Sequence, residues 1–354
     1  MAATGGTKNL SAEMKEAAAK AAQESGVVQT ALDIVQLYKG DKVATWEIIK
    51  KLGEGRGGFG AVYLVKDANG KIAGEYALKA EKASETTRVL KMEVYVLMEL
   101  KKSNAKHFCD ILDRGRANGY NFVVMTLVGP SFDEKVETNL MNLRKTASPD
   151  KAKQKFSLGC ALSIGICVVD AIEELHGIGY LHRDIKPGNF AIGKSDPRRI
   201  IMLDFGMARK YIDSQGKVRV PRWAAGFRGT VRYAPLSCHI SRDHCRKDDL
   251  ESFLYMQVRV VEIELTKGSL PWKHLESRDE IGQLKEKCRG ESIKLLMGGC
   301  PKEYVTILDY IDNICYYHTP DYNLIRQHFK TALQINNLNE YPYDWENQPH
   351  QLNN

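Results

Sequence analysis

His182-Arg183-Asp184-Ile185-Lys186-Pro187-Gly188-Asn189, followed by Asp204-Phe205-Gly206, is the stretch whose reading decides the fold. Two carboxylates, an amide and a lysine stand at set intervals, beside short apolar segments around residues 190 and 202. A polar loop with two unrelated aspartates is the plainer reading, but it gives no reason for the whole set to occur at this spacing. Phosphoryl transfer gives one. The attacking hydroxyl must be aligned with the phosphorus, and the charge on the phosphoryl oxygens must be neutralised. In that chemistry Asp184 orients the hydroxyl and accepts its proton. Asn189 and Asp204 are oxygen ligands for Mg2+, and Lys186 reaches the transferred phosphate.

Upstream, Gly55-Arg56-Gly57-Gly58-Phe59-Gly60-Ala61-Val62 is a weak signal alone, since it also fits a dinucleotide fold, a phosphate loop or an ordinary glycine turn. The next residues, Ala61 to Val65, read as a strand and not as the helix of a dinucleotide fold, and no Gly-Lys-Ser/Thr follows. A β-hairpin whose backbone amides close over phosphates remains. Tyr76-Ala77-Leu78-Lys79 then ends a strand on a single lysine, and Glu93 lies on an amphipathic helix, Val89 to Leu100. Lys79 is expected to hold the α and β phosphates of ATP, with Glu93 holding Lys79. Taken one at a time, a surface lysine and a solvated glutamate would explain them equally well.

Short β-rich runs occupy Trp46 to Leu52, Ala61 to Val65, Glu75 to Lys79 and Tyr120 to Leu127. Beyond Gly129 the apolar spacing lengthens to helical, over Phe156 to His176, Asp249 to Glu264 and Val305 to Tyr316. The expected fold class is therefore α+β, a bilobal arrangement with a small β-rich lobe carrying one helix and a large helical lobe. The expected boundaries are an N-terminal extension over 1–45, a catalytic domain over 46–333 divided into 46–128 and 129–333, and a polar tail over 334–354. Residues 10 to 24 are alanine-rich, with Ser11 as an N-cap and Glu16 facing Lys20, and are expected to add a helix.

With 354 residues and 43% hydrophobic composition the chain can bury sizeable cores. Eight cysteines without a Cys-x-x-Cys pair, and a start without a signal-peptide core, lead us to expect a reducing compartment: the cytoplasm, and the nucleus as well. Leu158 to Val169 is too short to span a bilayer, so no membrane insertion is expected. A net charge of +7 with no base-stacking or groove-reading motif gives no expectation of nucleic-acid binding.

With these motifs in place, the chain resembles the eukaryotic protein kinases over about Trp46 to Leu333. Within them it is most similar to the casein kinase 1 superfamily, and there to the tau-tubulin kinases. The finer likeness rests on Asp184 to Phe190, Gly226-Phe-Arg-Gly-Thr-Val-Arg-Tyr-Ala234, Arg246-Lys-Asp-Asp-Leu-Glu-Ser252, Gly268-Ser-Leu-Pro-Trp272 and Pro320 to Phe329. The resemblance implies a monomeric serine/threonine protein kinase using ATP and Mg2+ on protein substrates; a pseudokinase-type scaffold that binds partners without catalysis is the alternative. It also implies that Met125 is the gatekeeper, that Leu127 and Val128 form the adenine-binding hinge, and that Val62 and Ala77 contact the nucleotide. Thr230 would contact Asp184 and Lys186 beneath the substrate, and Asp249 would brace the catalytic loop.

The chain departs from the family pattern in three places. Two extra residues precede Phe59, so the first two phosphate-covering glycines are either Gly53 and Gly55 or Gly55 and Gly57, with Gly60 closing the set. Ala234-Pro235 is followed by Leu236 where most kinases carry the glutamate that would partner Arg326. Arg232 matches an arginine that receives a substrate phosphate in casein kinase 1 enzymes, but Glu276 stands where a lysine is usual.

Residues 207 to 247 carry ten Lys or Arg against Asp213 and Asp243, so this strip is +8 and the remainder near −1. It is expected to attract acidic or phosphorylated protein segments, with Arg228 and Arg232 as receivers, unless these are merely solvated charges. Between Asp204 and Pro235 the hydroxyl residues are Tyr211, Ser214, Thr230 and Tyr233, from which activity without activation-loop phosphorylation is expected.

Overall fold

The computed structural model describes residues 35–54, 60–83, 89–131, 156–260 and 270–346. The chain falls into two compact units. One runs to residue 87 and includes 115–122; the other takes 88–114 and everything from 123. The expected helix over 10 to 24 lies outside the described residues.

In the first unit, β1 (Lys42–Val43), β2 (Trp46–Glu54), β3 (Gly60–Asp67) and β4 (Tyr76–Lys82) pair antiparallel in that order. The hairpin between β5 (Ile111–Ala117) and β6 (Tyr120–Thr126) completes a six-stranded sheet of order β1-β2-β3-β4-β6-β5. The alternation of β3 explains its place: Ala61, Tyr63 and Val65 are fully buried. The Tyr63 hydroxyl donates to the Val35 carbonyl at 3.0 Å, so the chain before β1 is tied to the sheet.

The second unit begins with α1 (Val89–Lys102). Its large helix, α2 (Leu158–Gly177), is apolar almost all round and correspondingly buried. Ser157 caps it by accepting from Cys160 N at 3.2 Å. Against α2 pack α4 (Arg246–Val260) and α8 (Tyr322–Ile335), with α7 (Lys302–Asp312) touching both of those. Between these, α3 (Leu236–His239) packs on α5 (Arg278–Lys287), and α6 (Ile293–Met297) is a single short turn. The strands of this unit are short: β7 (Val128–Ser131), β9 (Phe190–Gly193) and β10 (Ile200–Met202) form one sheet, and β8 (Tyr180–Leu181) pairs with β11 (Arg209–Lys210). These are the two apolar segments around 190 and 202, joined as an antiparallel hairpin in the register Phe190 to Met202. Among the described residues no helix is long and apolar enough to cross a membrane.

Two expectations change here. The segment after Leu333 is polar in sequence, yet Tyr343 and Trp345 are 0% and 2% exposed and stack at 4.4 Å between centroids. Asp344 accepts both the amide (2.6 Å) and the hydroxyl (2.7 Å) of Ser157, and Trp345 Nε1 donates to the Pro197 carbonyl at 2.8 Å. The segment therefore closes over the N-terminus of α2, its two aromatic rings supplying the burial that its asparagines do not. Arg326, which the sequence leaves without a glutamate at 236, pairs instead with Asp170 at 3.0 Å and Glu173 at 2.5 Å, both on α2.

Candidate active site

Asp184 follows β8 on a loop that ends in the short 3-10 turn Pro187–Asn189. Its carboxylate is buried and surrounded by donors. Oδ1 accepts the backbone N–H of Thr230 and the Thr230 hydroxyl, each at 2.8 Å. Oδ2 accepts the Lys186 ammonium, which also donates to Thr230 Oγ1 at 2.7 Å. The Asn189 side-chain nitrogen donates to the Asp184 carbonyl at 2.8 Å. Asp184, Lys186, Asn189 and Thr230, drawn from two separate stretches of chain, thus form one cluster. Its chemistry suits proton acceptance from a hydroxyl: an acceptor-only group held by a hydroxyl and a cation that a substrate can displace or share.

The loop is braced from α4. Asp249 is buried and accepts His182 N at 2.7 Å, Arg183 N at 2.8 Å and His176 Nε2 at 3.0 Å. Burial pushes the Asp249 carboxyl up, but His176 and the neighbouring amide and imidazole donors outweigh it and hold it below the usual carboxylate range. Here Arg183 takes a left-handed backbone conformation (φ 68°), rare for a residue with a side chain. The two amide bonds to Asp249 and the bond from Arg183 Nε to the Met207 carbonyl (2.7 Å) hold it there. Burial, then the nearby Arg209, Arg222 and Arg228 guanidinium groups, pull Arg183 down to about 10, with Asp249 opposing them.

Asp204, also left-handed (φ 63°), follows β10. The residue before it, Leu203, donates its N–H to the Asn189 carbonyl at 2.8 Å and accepts His182 Nε2 at 3.1 Å. Phe205 is buried between the rings of Phe108 (5.7 Å) and His182 (5.5 Å). At Gly206 a Cβ would come within 2.5 Å of Val89 Cγ1, so only glycine fits without displacement. Asn189 and Asp204 are thereby coupled through the backbone. With its amide nitrogen used by Asp184, Asn189 offers its oxygen; with the Asp204 carboxylate this makes the hard donor set that Mg2+ prefers.

In the first unit, Gly53 on β2 is registered with Val62 on β3, and Val62 with Lys79 on β4, so three of the expected nucleotide positions stand in one cross-strand row. Ala77 is buried two residues before Lys79. Gly60 has no room for a side chain, because a Cβ there would meet the Ala80 carbonyl at 2.6 Å. Gly55 and Gly57 lie outside the described residues. In the second unit Glu93 is buried on α1, Met125 is buried near the end of β6, and Leu127 and Val128 follow where β6 gives way to β7.

Arg228 and Arg232 are exposed on the loop carrying Thr230, and Arg228 Nη1 donates to the Phe227 carbonyl at 3.1 Å. Part of the basic strip is spent internally. Asp243 is buried and accepts Arg209 at 2.8 Å and Arg222 at 2.9 Å. Burial pushes Asp243 up, but the Arg222 bonds and the charge of Arg209 leave it below the carboxylate range. Sequence reasoning counted Asp243 as a charge without seeing it as a hub. It also missed Glu251, which accepts Leu236 N at 2.9 Å and Arg289 at 2.7 Å, and Lys285, buried on α5. One local signal existed for Lys285: it falls on the same helical face as the buried Ile281 and Gly282.

The protein kinase domain family matches residues 46–289, more than half of the chain. A Dictyostelium discoideum protein named as a probable serine/threonine-protein kinase is 35% identical over 304 residues, covering 85% of this chain and 56% of that protein. The serine/threonine-protein kinase spe-6 of Caenorhabditis elegans is 35% identical over 310 residues, covering 85% of this chain and 76% of the relative. This chain thus spans little more than half the length of the Dictyostelium relative and about three quarters of the nematode one. Motifs, α+β fold and sequence relatives agree: the chain belongs to the protein kinase domain family.

Proposed function

We propose that this protein is an ATP-dependent protein-serine/threonine kinase of the casein kinase 1 superfamily, closest to the tau-tubulin kinases. The observation that carries the reading is the Asp184 carboxylate gripped by Lys186 and Thr230 and tied through its carbonyl to Asn189. A serine or threonine hydroxyl placed at Asp184 gives up its proton there as its oxygen bonds to the γ-phosphorus, while the bond from that phosphorus to the β–γ bridging oxygen breaks and ADP leaves. Lys186 then balances charge on the transferred group. Asp204 and Asn189 would hold magnesium, which supplies charge neutralisation to the phosphates. Lys79 with Gly53, Gly55, Gly57, Gly60, Val62 and Ala77 is assigned to the nucleotide, as are Glu93, Met125, Leu127 and Val128. Both relatives carry serine/threonine-protein kinase in their names.

Two finer features belong to the proposal. The exposed Arg228 and Arg232 favour acidic or phosphorylated contexts in the protein substrate. Activity without loop phosphorylation is supported by Asp243, a built-in anion that already balances Arg209 and Arg222. Asp184→Asn tests the central reading: phosphate incorporation should collapse while calorimetry with magnesium and ATP still reports binding. Equal incorporation by variant and parent would sink it. Protein made in bacteria and stripped by phosphatase should retain its activity.

A further inference from the structure

Lys285 is a lysine with no exposed surface, a costly placement unless every N–H finds an acceptor. All three do. Nζ donates to the Val231 carbonyl at 2.8 Å and the Ala234 carbonyl at 2.7 Å, and lies 3.2 Å from His239 Nε2. His239 Nδ1 is 2.9 Å from the Arg278 carbonyl, which puts the ring proton on Nδ1 and leaves Nε2 as an acceptor. The ammonium also sits over the rings of Tyr255 and Trp272, at 5.0 and 5.1 Å. Beside it, Trp272 Nε1 donates to the Arg232 carbonyl at 2.8 Å, and the Thr230 carbonyl accepts from Tyr233 N and Ala234 N, both at 2.9 Å. The carbonyls of 230, 231, 232 and 234 are therefore all engaged.

Thr230 is bonded to Asp184, so the chain just after Thr230 lies beside the place a substrate hydroxyl would take at Asp184. We propose that Lys285 is a positioning residue for the protein substrate: its ammonium, by holding the 231 and 234 carbonyls, sets the backbone along which the substrate chain lies. The proposal rests on the kinase reading and names the element that orders its substrate side. Leu236 has no carboxylate to anchor this segment, and Glu251 of α4 supplies one by accepting Leu236 N.

Charge on Lys285 is needed, because a neutral amine has two protons for three acceptors. Burial pulls Lys285 down to about 7; Glu251 on α4 opposes that, and Arg289 adds to it. Cys238 opposes the shift less than Glu251 does, and burial still prevails. Burial keeps the Cys238 thiol and Tyr255 hydroxyl above their ordinary values, and burial with Lys285 itself holds His239 down to about 4. Above pH 7, then, two N–H groups are left to serve the Val231 and Ala234 carbonyls and the His239 ring, and the hold on the segment after Thr230 loosens.

The test measures kcat and the KM for ATP and for a protein substrate in the parent, Lys285→Met and Lys285→Arg between pH 6 and 9, with amide exchange at 231–235. Lys285→Met is expected to raise the protein-substrate KM about tenfold, the loss of one or two charge-assisted bonds, with the ATP KM unchanged. Its 231–235 amides should exchange faster while those of α2 do not. Lys285→Arg, charged at every pH, should recover much of the affinity. In the parent the protein-substrate KM should climb above pH 7, and in Lys285→Arg it should not. Should Lys285→Met fail to fold, the parent profile decides, and a flat protein-substrate KM across the range overturns the proposal. A parent that transfers no phosphate defeats the kinase reading; a working parent with an unchanged Lys285→Met KM defeats only the role of Lys285.

Discussion

Asp184 and Asp249 are both buried carboxylates in one unit, and Asp249 on α4 grips the loop that carries Asp184, yet their partners differ in kind. Asp249 is met by two main-chain amides and a buried imidazole, none of which can leave without unfolding the loop. Asp184 keeps one main-chain donor, Thr230 N on Oδ1, but is otherwise met by the Thr230 hydroxyl and, on Oδ2, by the end of a lysine, side chains that can yield a place to an incoming hydroxyl. A carboxylate held mostly by backbone and a buried ring becomes a brace; one held mostly by movable side chains stays available for chemistry. Residue type alone does not separate the two roles.

The largest effect that would sharpen this contrast is Asp184→Asn, expected to slow phosphate transfer by about 10² to 10⁴ because an amide cannot take the proton. Its melting temperature should stay close to that of the parent. Asp249→Asn should invert the pattern. One of its two acceptors becomes an N–H₂ aimed at N–H donors, and the buried network loses about 3 kcal/mol, read as a fall in the denaturant midpoint. The folded-state carboxyl of Asp249 lies below its unfolded value near 3.9, so its stabilisation is present above that pH and lost as pH falls through the folded value. The acid limb of the stability curve should therefore be shallower in Asp249→Asn. An Asp249→Asn protein that melts like the parent would erase the distinction between brace and reactive group.

The same contrast explains what the sequence disclosed. Asp184, Lys186 and Asn189 lie within six residues of one another, and their chemistry imposes that spacing, so the pattern is local and readable. Thr230 and Asp249 were reached through a family likeness, and the structure places both against the catalytic loop. Lys285 looked like one more solvated lysine beside Glu286 and Lys287; its acceptors are 51 and 54 residues away. Strand β5 escaped notice because Asp113, Arg114, Gly115 and Arg116 break any apolar alternation. The closing segment was masked by its asparagines, although Tyr343 and Trp345, two apart, carry the packing. Trp345→Phe removes the bond to Pro197 and part of the ring, and should cost about 1 to 2 kcal/mol, a few degrees of melting temperature.

Asp243 falls between brace and reactive group, and gives the smallest but most discriminating effect. Its carboxylate is buried, but Arg222, which reaches it, is half exposed, so solvent and salt weaken the pair. Asp243→Asn should lower stability by about 1 kcal/mol or less. Because Arg222 and Arg209 outweigh burial and hold the carboxyl below its usual range, that contribution exists above about pH 4 and fades as pH falls further. If Asp243 acts only as a brace, activity in Asp243→Asn should follow its small loss of stability and no more. If it stands in for a phosphate on the loop, phosphatase-stripped Asp243→Asn should lose activity severalfold at a temperature where it is fully folded. Added sulfate, an anion able to sit among Arg183, Arg209 and Arg222, should then restore part of the loss. Full activity in the stripped variant without sulfate would show that the arginines need no counter-charge, and the internal-anion account of constitutive activity would fall.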